Sequence, residues 1–348
     1  MTILVLNAGS STLKFAAYER AREPTLRFKD QVQGAGAPAL AALFARLDRE
    51  GIDVARLAGI GHRIVHGGTG FASPVVVDDA VEARLNGLRP LAPLHQPYGL
   101  DALRLMRERA PGVPQVACFD TAFHRTQPEI AQRFPLPAPY FERGYRRYGF
   151  HGLNYEHVVH SFSAQTGTPL PSRLLIAHLG NGASLCAVKD GVSVATTMGY
   201  STLDGLVMGT RPGAIDPGLL LAIMKDDRLT PGEMEEILYR RSGLLALSGV
   251  SSDMRSLLES PAPAARQAIE AYCYWAARQA GSLITAMGGI DAMVFTGGIG
   301  ENAEAVRRHI LHHLGWINPF AVHIMLANEE LVIARHVTGL IAYKIKPN

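Results

Sequence analysis

Two arginines and one aspartate stand where the chain leaves regular structure, which is where side chains are free to do chemistry. Arg63 lies between a strand-like run, Leu57 to Val65, and the pair Gly67-Gly68. Asp120 ends the short apolar run Val116-Ala117-Cys118-Phe119, and carboxylates at the carboxyl end of a strand in α/β proteins meet the ligand crevice. Arg211 sits in Met208-Gly209-Thr210-Arg211-Pro212-Gly213, residues that cannot form a helix. Each arginine also has a plain reading: Arg63 beside a turn on the surface, Arg211 solvated. Aimed inward, they would meet an anion.

Two glycine and hydroxyl turns point to which anion. In Ile3-Leu4-Val5-Leu6-Asn7-Ala8-Gly9-Ser10-Ser11-Thr12-Leu13-Lys14-Phe15 an apolar run too short for a helix meets a small polar turn and a second strand-like run. The turn offers backbone N–H groups and hydroxyls without bulk, and Lys14 adds a positive charge. An ordinary β-hairpin is the plain reading. The stretch Leu174 to Val188 echoes the first, putting Thr12 on Ser184 and Leu13 on Leu185. One copy per half-chain predicts two similar lobes that each present a phosphate loop to a shared cleft.

The elements between these points are read from period and punctuation. Ala39 to Leu47 predicts a short helix, and Leu100, Leu103, Met106 and Ala110 mark the face of another. Four prolines from Pro128 to Pro139 make regular structure there unexpected, and the domain junction is expected at residue 150. Ile269, Tyr272, Cys273, Ala276, Ala280, Leu283, Ile284 and Met287 form the core stripe of a long helix. Asp291 to Asn302 reads as a strand, a glycine turn and a helix start, formally matching G-x-G-x-x-A through Gly298, Gly300 and Ala303. A dinucleotide-binding unit would need more sheet after it and an acidic residue about 20 positions on, whereas Asn318-Pro319 lies there. His309, His312 and His313 share helical spacing, but no carboxylate or Cys at ligand spacing supports a metal, so a solvated face is the expectation.

At 348 residues the chain fits two domains. Charged residues are 19% and mean hydropathy is +0.07, values of a globular protein. The net charge of +3 is small and basic residues occur in pairs but never as a long run, so nucleic acid and membrane partners have no electrostatic case. Cys118, Cys186 and Cys273 are far apart in apolar neighbourhoods and read as reduced thiols. No run approaches a membrane span and no basic stretch precedes an apolar core at the start, so a cytoplasmic location is expected.

The segments Asn7-Ala8-Gly9-Ser10-Ser11, Gly61-His62-Arg63, Phe119-Asp120-Thr121-Ala122-Phe123-His124, Gly149-Phe150-His151-Gly152, His178-Leu179-Gly180-Asn181-Gly182, Met208-Gly209-Thr210-Arg211 and Gly298-Ile299-Gly300-Glu301-Asn302 resemble, in order and over nearly the whole chain, the signatures of acetate kinases. The resemblance implies an α/β protein of two ribonuclease-H-like (actin-like ATPase) lobes around a central nucleotide cleft, usually a homodimer. Residues 1–150, completed by the C-terminal segment 331–348, would form the lobe with the first phosphate hairpin and the substrate residues, and 151–330 the nucleotide-binding lobe. The implied reaction is reversible phosphorylation of acetate to acetyl phosphate by ATP with Mg²⁺ or Mn²⁺. By position, Asn7 and Glu329 resemble the metal-associated pair, and Asp120, His151 and Arg211 the catalytic residues. Arg63, Val65, Leu94 and Phe150 resemble the substrate-binding set. Lys14, His178 to Gly182, Asp253 to Arg255 (with Met254 between) and Gly298 to Asn302 resemble the ATP contacts.

The chemistry explains the residue types. A carboxylate attacking a triphosphate is anion meeting anion, so positioning and charge neutralisation dominate. A planar guanidinium grips an oxygen pair, which Lys does not. The acceptor carboxylate is already ionised at pH 7, so Asp120 is expected to organise charge and not to accept a proton. The chain departs from the family pattern in having Thr12 for Ser, Gln96 for Asn, Ala214 for an acidic residue and Thr202 for Pro, and it is shorter. Thr202 falls where the family lines its acyl pocket, which leaves propionate or another short acid open as the substrate. An actin-like ATP-binding protein without a substrate and a nicotinamide dehydrogenase using Gly298 to Ala303 are the competing readings.

Overall fold

Ile3 to Leu6 are apolar without alternation because the strand they form is covered on both faces. The computed structural model describes residues 1–9, 12–34, 36–93 and 95–343, so Ser10, Ser11 and Leu94 lie outside the described residues. Leu4 and Leu6 face one core, with Leu43, Leu47 and Met106 of helices Gly36–Arg49 and Gln96–Arg109. Ile3 and Val5 face another, with Ile333, Val337 and Ile341 of helix Glu329–Tyr343.

The described chain forms two compact units. The first takes Met1–Arg125, Gly152–His157 and the chain from Asn328 onward; the second takes Thr126–His151 and Val158–Ala327. Residues 126–151 thus group with the second half and not with the first. They are held there by Tyr148 N–H on Gly199 O at 2.9 Å and by Arg147 on Asp204 at 2.8 Å. Within them the proline-rich stretch is not irregular: it holds two short helices, Glu129–Gln132 and Ala138–Glu142, each entered from a proline, as fits a residue tolerated only in a first helical turn.

The sheet of the first unit runs in the order β3-β2-β1-β4-β6-β5, with β1 Thr2–Ala8, β2 Thr12–Glu19, β3 Thr25–Gln33, β4 Gly59–Ile64, β5 Val75–Val76 and β6 Gln115–Phe119. The sheet of the second runs β11-β10-β7-β8-β9, with β7 Arg173–Leu179, β8 Ala183–Lys189, β9 Val192–Thr196, β10 Ala292–Thr296 and β11 Ala321–Ile324. Each holds an antiparallel three-strand meander continued by two parallel strands, the ribonuclease-H-like order repeated, and the first adds the short β5 antiparallel to β6 at its edge. The two hairpins differ in register from the sequence echo. Asn7 pairs with Lys14 and His178 with Ser184, each one step from the turn, so Lys14 and not Thr12 is level with Ser184.

Strand β11 supplies sheet after the glycine turn where the sequence predicts none; it is short, exposed and follows Pro319, so no apolar period announces it. Its parallel pairing to β10 does not make a dinucleotide domain, because the other three strands of that sheet form an antiparallel meander. The long helix is Pro263–Met287, starting before the stripe read from Ile269. No helix among the described residues is long and apolar enough to cross a membrane.

Helix Glu329–Tyr343 lies directly on strand backbone: a Cβ at Gly61 would fall 2.3 Å from Ile333 Cγ2. On the other face of β4, His62 is buried and its Nε2 meets Gln115 Oε1 at 2.7 Å. Burial pushes the His62 pKa down to about 4, the Gln115 contact opposing. Between the ordinary value of 6.5 and about 4 the unfolded chain binds a proton that the native chain refuses, so stability falls as pH is lowered through this window. The loss is on the order of 3 kcal/mol. Thermal unfolding should show a midpoint that drops from pH 6.5 to 4, with a smaller drop in His62→Gln; equal drops would assign the effect to other groups.

Candidate functional site

In the first unit, parallel strands bring three side chains to one end of the sheet. Asn7 and Arg63 each lie one residue before the end of their strands, β1 and β4, and Asp120 follows β6 directly. The ladder pairs Leu6 with His62 and Arg63 with Cys118, so Asn7 is level with Arg63 and Asp120 stands two residues beyond the partner of Arg63. Arg63 Nε donates to Asp120 Oδ1 at 3.0 Å and to Oδ2 at 3.1 Å, and Nη2 donates to Oδ2 at 2.5 Å. Its Nη1 donates to Asn7 Oδ1 at 3.0 Å, and Asn7 Nδ2 donates to Glu329 Oε2 at 3.4 Å. Glu329 opens its helix, where Asn328 Oδ1 accepts the Leu331 N–H, and it reaches to 3.7 Å from Arg63 Nε. A carboxylate in a first helical turn is favoured by the helix dipole.

Asp120 is 1% exposed and Arg63 22%. Burial lifts the Asp120 pKa while the Arg63 charge and hydrogen bonds pull it down and Glu329 adds to the rise. Burial acts to lower Arg63, but Asp120, Glu329 and Glu330 outweigh it and hold the guanidinium above its ordinary value. The two shifts pull in opposite senses on one pair; with both Asp120 oxygens gripped by one planar fork, the charged pair is the state the geometry favours. Neither oxygen is left as a ready base. Val65 follows on the same segment, buried at 9% exposure, and Lys14 is exposed across the ladder from Asn7.

In the second unit, the turn of the β7–β8 hairpin, Gly180 to Gly182, faces Arg211 and His151. His151 has φ 60°, in the left-handed region that a non-glycine residue enters at a cost. Its Nδ1 meets Ser184 Oγ at 2.8 Å, and its ring stacks on His178 with centroids 4.2 Å apart. A Cβ at Gly182 would lie 2.7 Å from Arg211 Nη2 and 3.4 Å from His151 Nε2, so glycine lets backbone pass between the two. Arg211 Nη1 donates to Thr202 O at 2.8 Å. Burial lowers the Arg211 pKa to about 10, and among the described residues no carboxylate pairs with it. The side chain is half-buried, and a cation partly withdrawn from water without a counter-ion is stabilised when an anion arrives. Phe150, next to His151, is fully buried, as is the Thr202 hydroxyl, which has no hydrogen-bond partner among the described residues.

A cavity of about 290 Å³ in the second unit gathers three of the sequence-expected stretches: Gly180 and Asn181, Asp253 to Arg255, and Gly298, Ile299 and Asn302. His178, Leu179, Gly182, Gly300 and Glu301 do not line it. Leu179 and Gly300 are buried beneath it, and Glu301 Oε1 accepts the N–H groups of Gly297 at 2.9 Å and Ala327 at 2.8 Å, a tie within the backbone. Asp253 caps helix Met254–Glu259 through Ser256 N–H at 2.9 Å, a bond that lowers its pKa. Ser252, Leu258 and Ala303 also line the cavity, and sequence reasoning misses all three as ligand contacts. Ser252 and Ala303 sit beside motif residues, whereas Leu258 carries no signal beyond helix amphipathicity.

The acetokinase family model matches residues 28–330. The chain belongs to that family. An acetate kinase of Rhodopseudomonas palustris (strain ATCC BAA-98 / CGA009) is 44% identical over 389 aligned residues, covering 97% of this chain and 98% of the relative. The crystal structure of Porphyromonas gingivalis acetate kinase superposes with a TM-score of 0.87 at 29% identity, covering 98% of this chain and 99% of that one. A propionate kinase from Francisella tularensis superposes with a TM-score of 0.86 at 31% identity, covering 96% and 98%. These acetokinase-family folds carry the same two-lobe, actin-like architecture described above.

Proposed function

We propose that the chain phosphorylates a short carboxylate, acetate first, with ATP, reversibly giving the acyl phosphate. The observation that carries this reading is the contrast between two arginines, one in each unit: Arg63 is paired with Asp120 through Nε and Nη2 and keeps further N–H donors, and Arg211 is half-buried with no carboxylate beside it among the described residues. Arg63, held by Asp120, takes the carboxylate of the acceptor beside Val65. Arg211, steadied by the Thr202 carbonyl, and His151 take charge developing on the phosphoryl oxygens, while the cavity at Gly180, Asp253 and Gly298 takes the nucleotide. Bond making needs no base, since an acid of ordinary pKa is ionised at pH 7. The resemblance also gives Lys14, Leu94 and Phe150 contact roles, which this reading keeps.

Magnesium fits the oxygen donors at Asn7 and Glu329. Such an ion is commonly bound by one or two carboxylates and otherwise by phosphate and water, and Glu329 would supply a carboxylate. When bound, such an ion neutralises phosphate charge. Propionate is the second reading, supported by a propionate kinase that superposes as well as an acetate kinase. A homodimer accounts for helix Pro217–Asp226, which has no buried residue and leaves Leu219 49% and Leu221 70% exposed. Three buried thiols suit the reducing cytoplasm, where cell fractionation should recover the protein.

Arg63→Ala and Arg211→Ala should each lower turnover by on the order of 10³-fold with an unchanged circular dichroism spectrum, as for a lost cationic clamp in phosphoryl transfer. Both variants staying within about tenfold of the parent would refute this placement of the site. Light scattering should give twice the chain mass, falling to one in Leu221→Glu; a monomeric parent would remove the dimer.

A further inference from the structure

The segment that carries Val65 away from β4 is held by buried side chains that belong to neither proposed ligand site. Gln96 opens helix Gln96–Arg109 and is 1% exposed. Its amide brackets one residue on both sides: Oε1 accepts the His66 N–H at 3.0 Å, and Nε2 donates to the His66 carbonyl at 3.0 Å. Thr121 Oγ1 accepts the Gly67 N–H at 3.0 Å, and His66 Nδ1 accepts the Gly68 N–H at 2.8 Å. Three residues along the same helix, a Cβ at Gly99 would lie 3.0 Å from Arg63 O and 3.3 Å from Ile64 Cδ1. The helix is therefore seated on the end of β4 and cannot follow the loop inward. With the helix fixed, the length of the Gln96 side chain sets where His66, and Val65 before it, must stand.

We propose that Gln96 is a positioning residue that sets the acyl-chain preference of the Arg63 site. The proposal rests on Arg63 being the carboxylate anchor. Side chains alternate across β4: Gly61 and Arg63 point to the face of helix Glu329–Tyr343, and Ile64 to the face of helix Gln96–Arg109, where it shares a core with Leu100 and Leu103. A side chain one methylene shorter keeps both hydrogen bonds to His66 only by drawing the loop toward helix Gln96–Arg109, away from the face of Arg63. Val65 then recedes from the substrate, and room opens beside the carboxylate. The backbone groups of His66 are buried, so releasing them instead would be unfavourable.

The test is Gln96→Asn, read as the ratio of kcat/KM for propionate to that for acetate, with KM for ATP and the thermal midpoint measured alongside. The ratio should rise by about tenfold, the scale at which one methylene is discriminated in an apolar pocket, with KM for ATP unchanged. An unchanged ratio with a lowered midpoint makes Gln96 a purely structural residue and overturns the proposal. Should Gln96→Asn not fold, Gln96→Met retains the length without the bracket and is read by the same ratio, which again must change. Arg63→Ala separates the two claims: an unchanged KM for acetate there removes the anchor reading itself, whereas a large rise with a flat Gln96 ratio defeats only the role of Gln96.

Discussion

Asp120 holds Arg63 in one orientation, and much of the first unit serves that contact. A planar guanidinium engaged through Nε and Nη2 by a buried aspartate is held in one rotamer, with its outer N–H groups still directed away from that aspartate. The cost of burying Asp120 is offset by three short donor contacts and by placing it at the mouth of a parallel pair of strands. Asn7 and Glu329 extend the network, so residues from three strands or strand ends and a helix start share one cluster in which two carboxylates face one guanidinium. Removing Arg63 would leave Asp120 buried and without its counter-charge, whereas Arg63 without Asp120 would keep Glu329 at 3.7 Å.

The second unit solves a different problem. Arg211 has a backbone carbonyl and, among the described residues, no carboxylate, and desolvation lowers its pKa. The glycines around it are matters of space: Gly182 passes beside Arg211 and His151, and Gly243, at φ +64°, would put a Cβ 2.2 Å from Met208 O. His151 in the left-handed region bears backbone strain to stack on His178 and reach Ser184. The two units therefore differ in how an arginine is partnered, one by a carboxylate and one by a backbone carbonyl.

Much of this is legible in the amino-acid sequence. Both hairpins, the strand ends at Arg63 and Asp120, and the stretches at Gly180, Asp253 and Gly298 are short-range patterns of apolar runs and small residues. Four strands are not legible: β3 and β11 are largely exposed, β5 has two residues, and β9 is an edge, so pairing and not period defines them. The echo misplaces the register because the turn between paired residues is one residue shorter in the second hairpin, which sequence overlay does not see. The role of Glu301 as a backbone tie is likewise invisible, since its partners Gly297 and Ala327 include one 26 residues away.

The central claim is that phosphate passes from ATP to a carboxylate oxygen. Purified protein should be given ATP and Mg²⁺ with acetate, propionate, butyrate or no acid, and ADP release followed together with trapping of the acyl phosphate by hydroxylamine. The account predicts ADP release that requires the acid, is greatest for the two shortest acids and is matched by an equal amount of hydroxamate. ADP release that is indifferent to the acid, or none with any of the three, would contradict it.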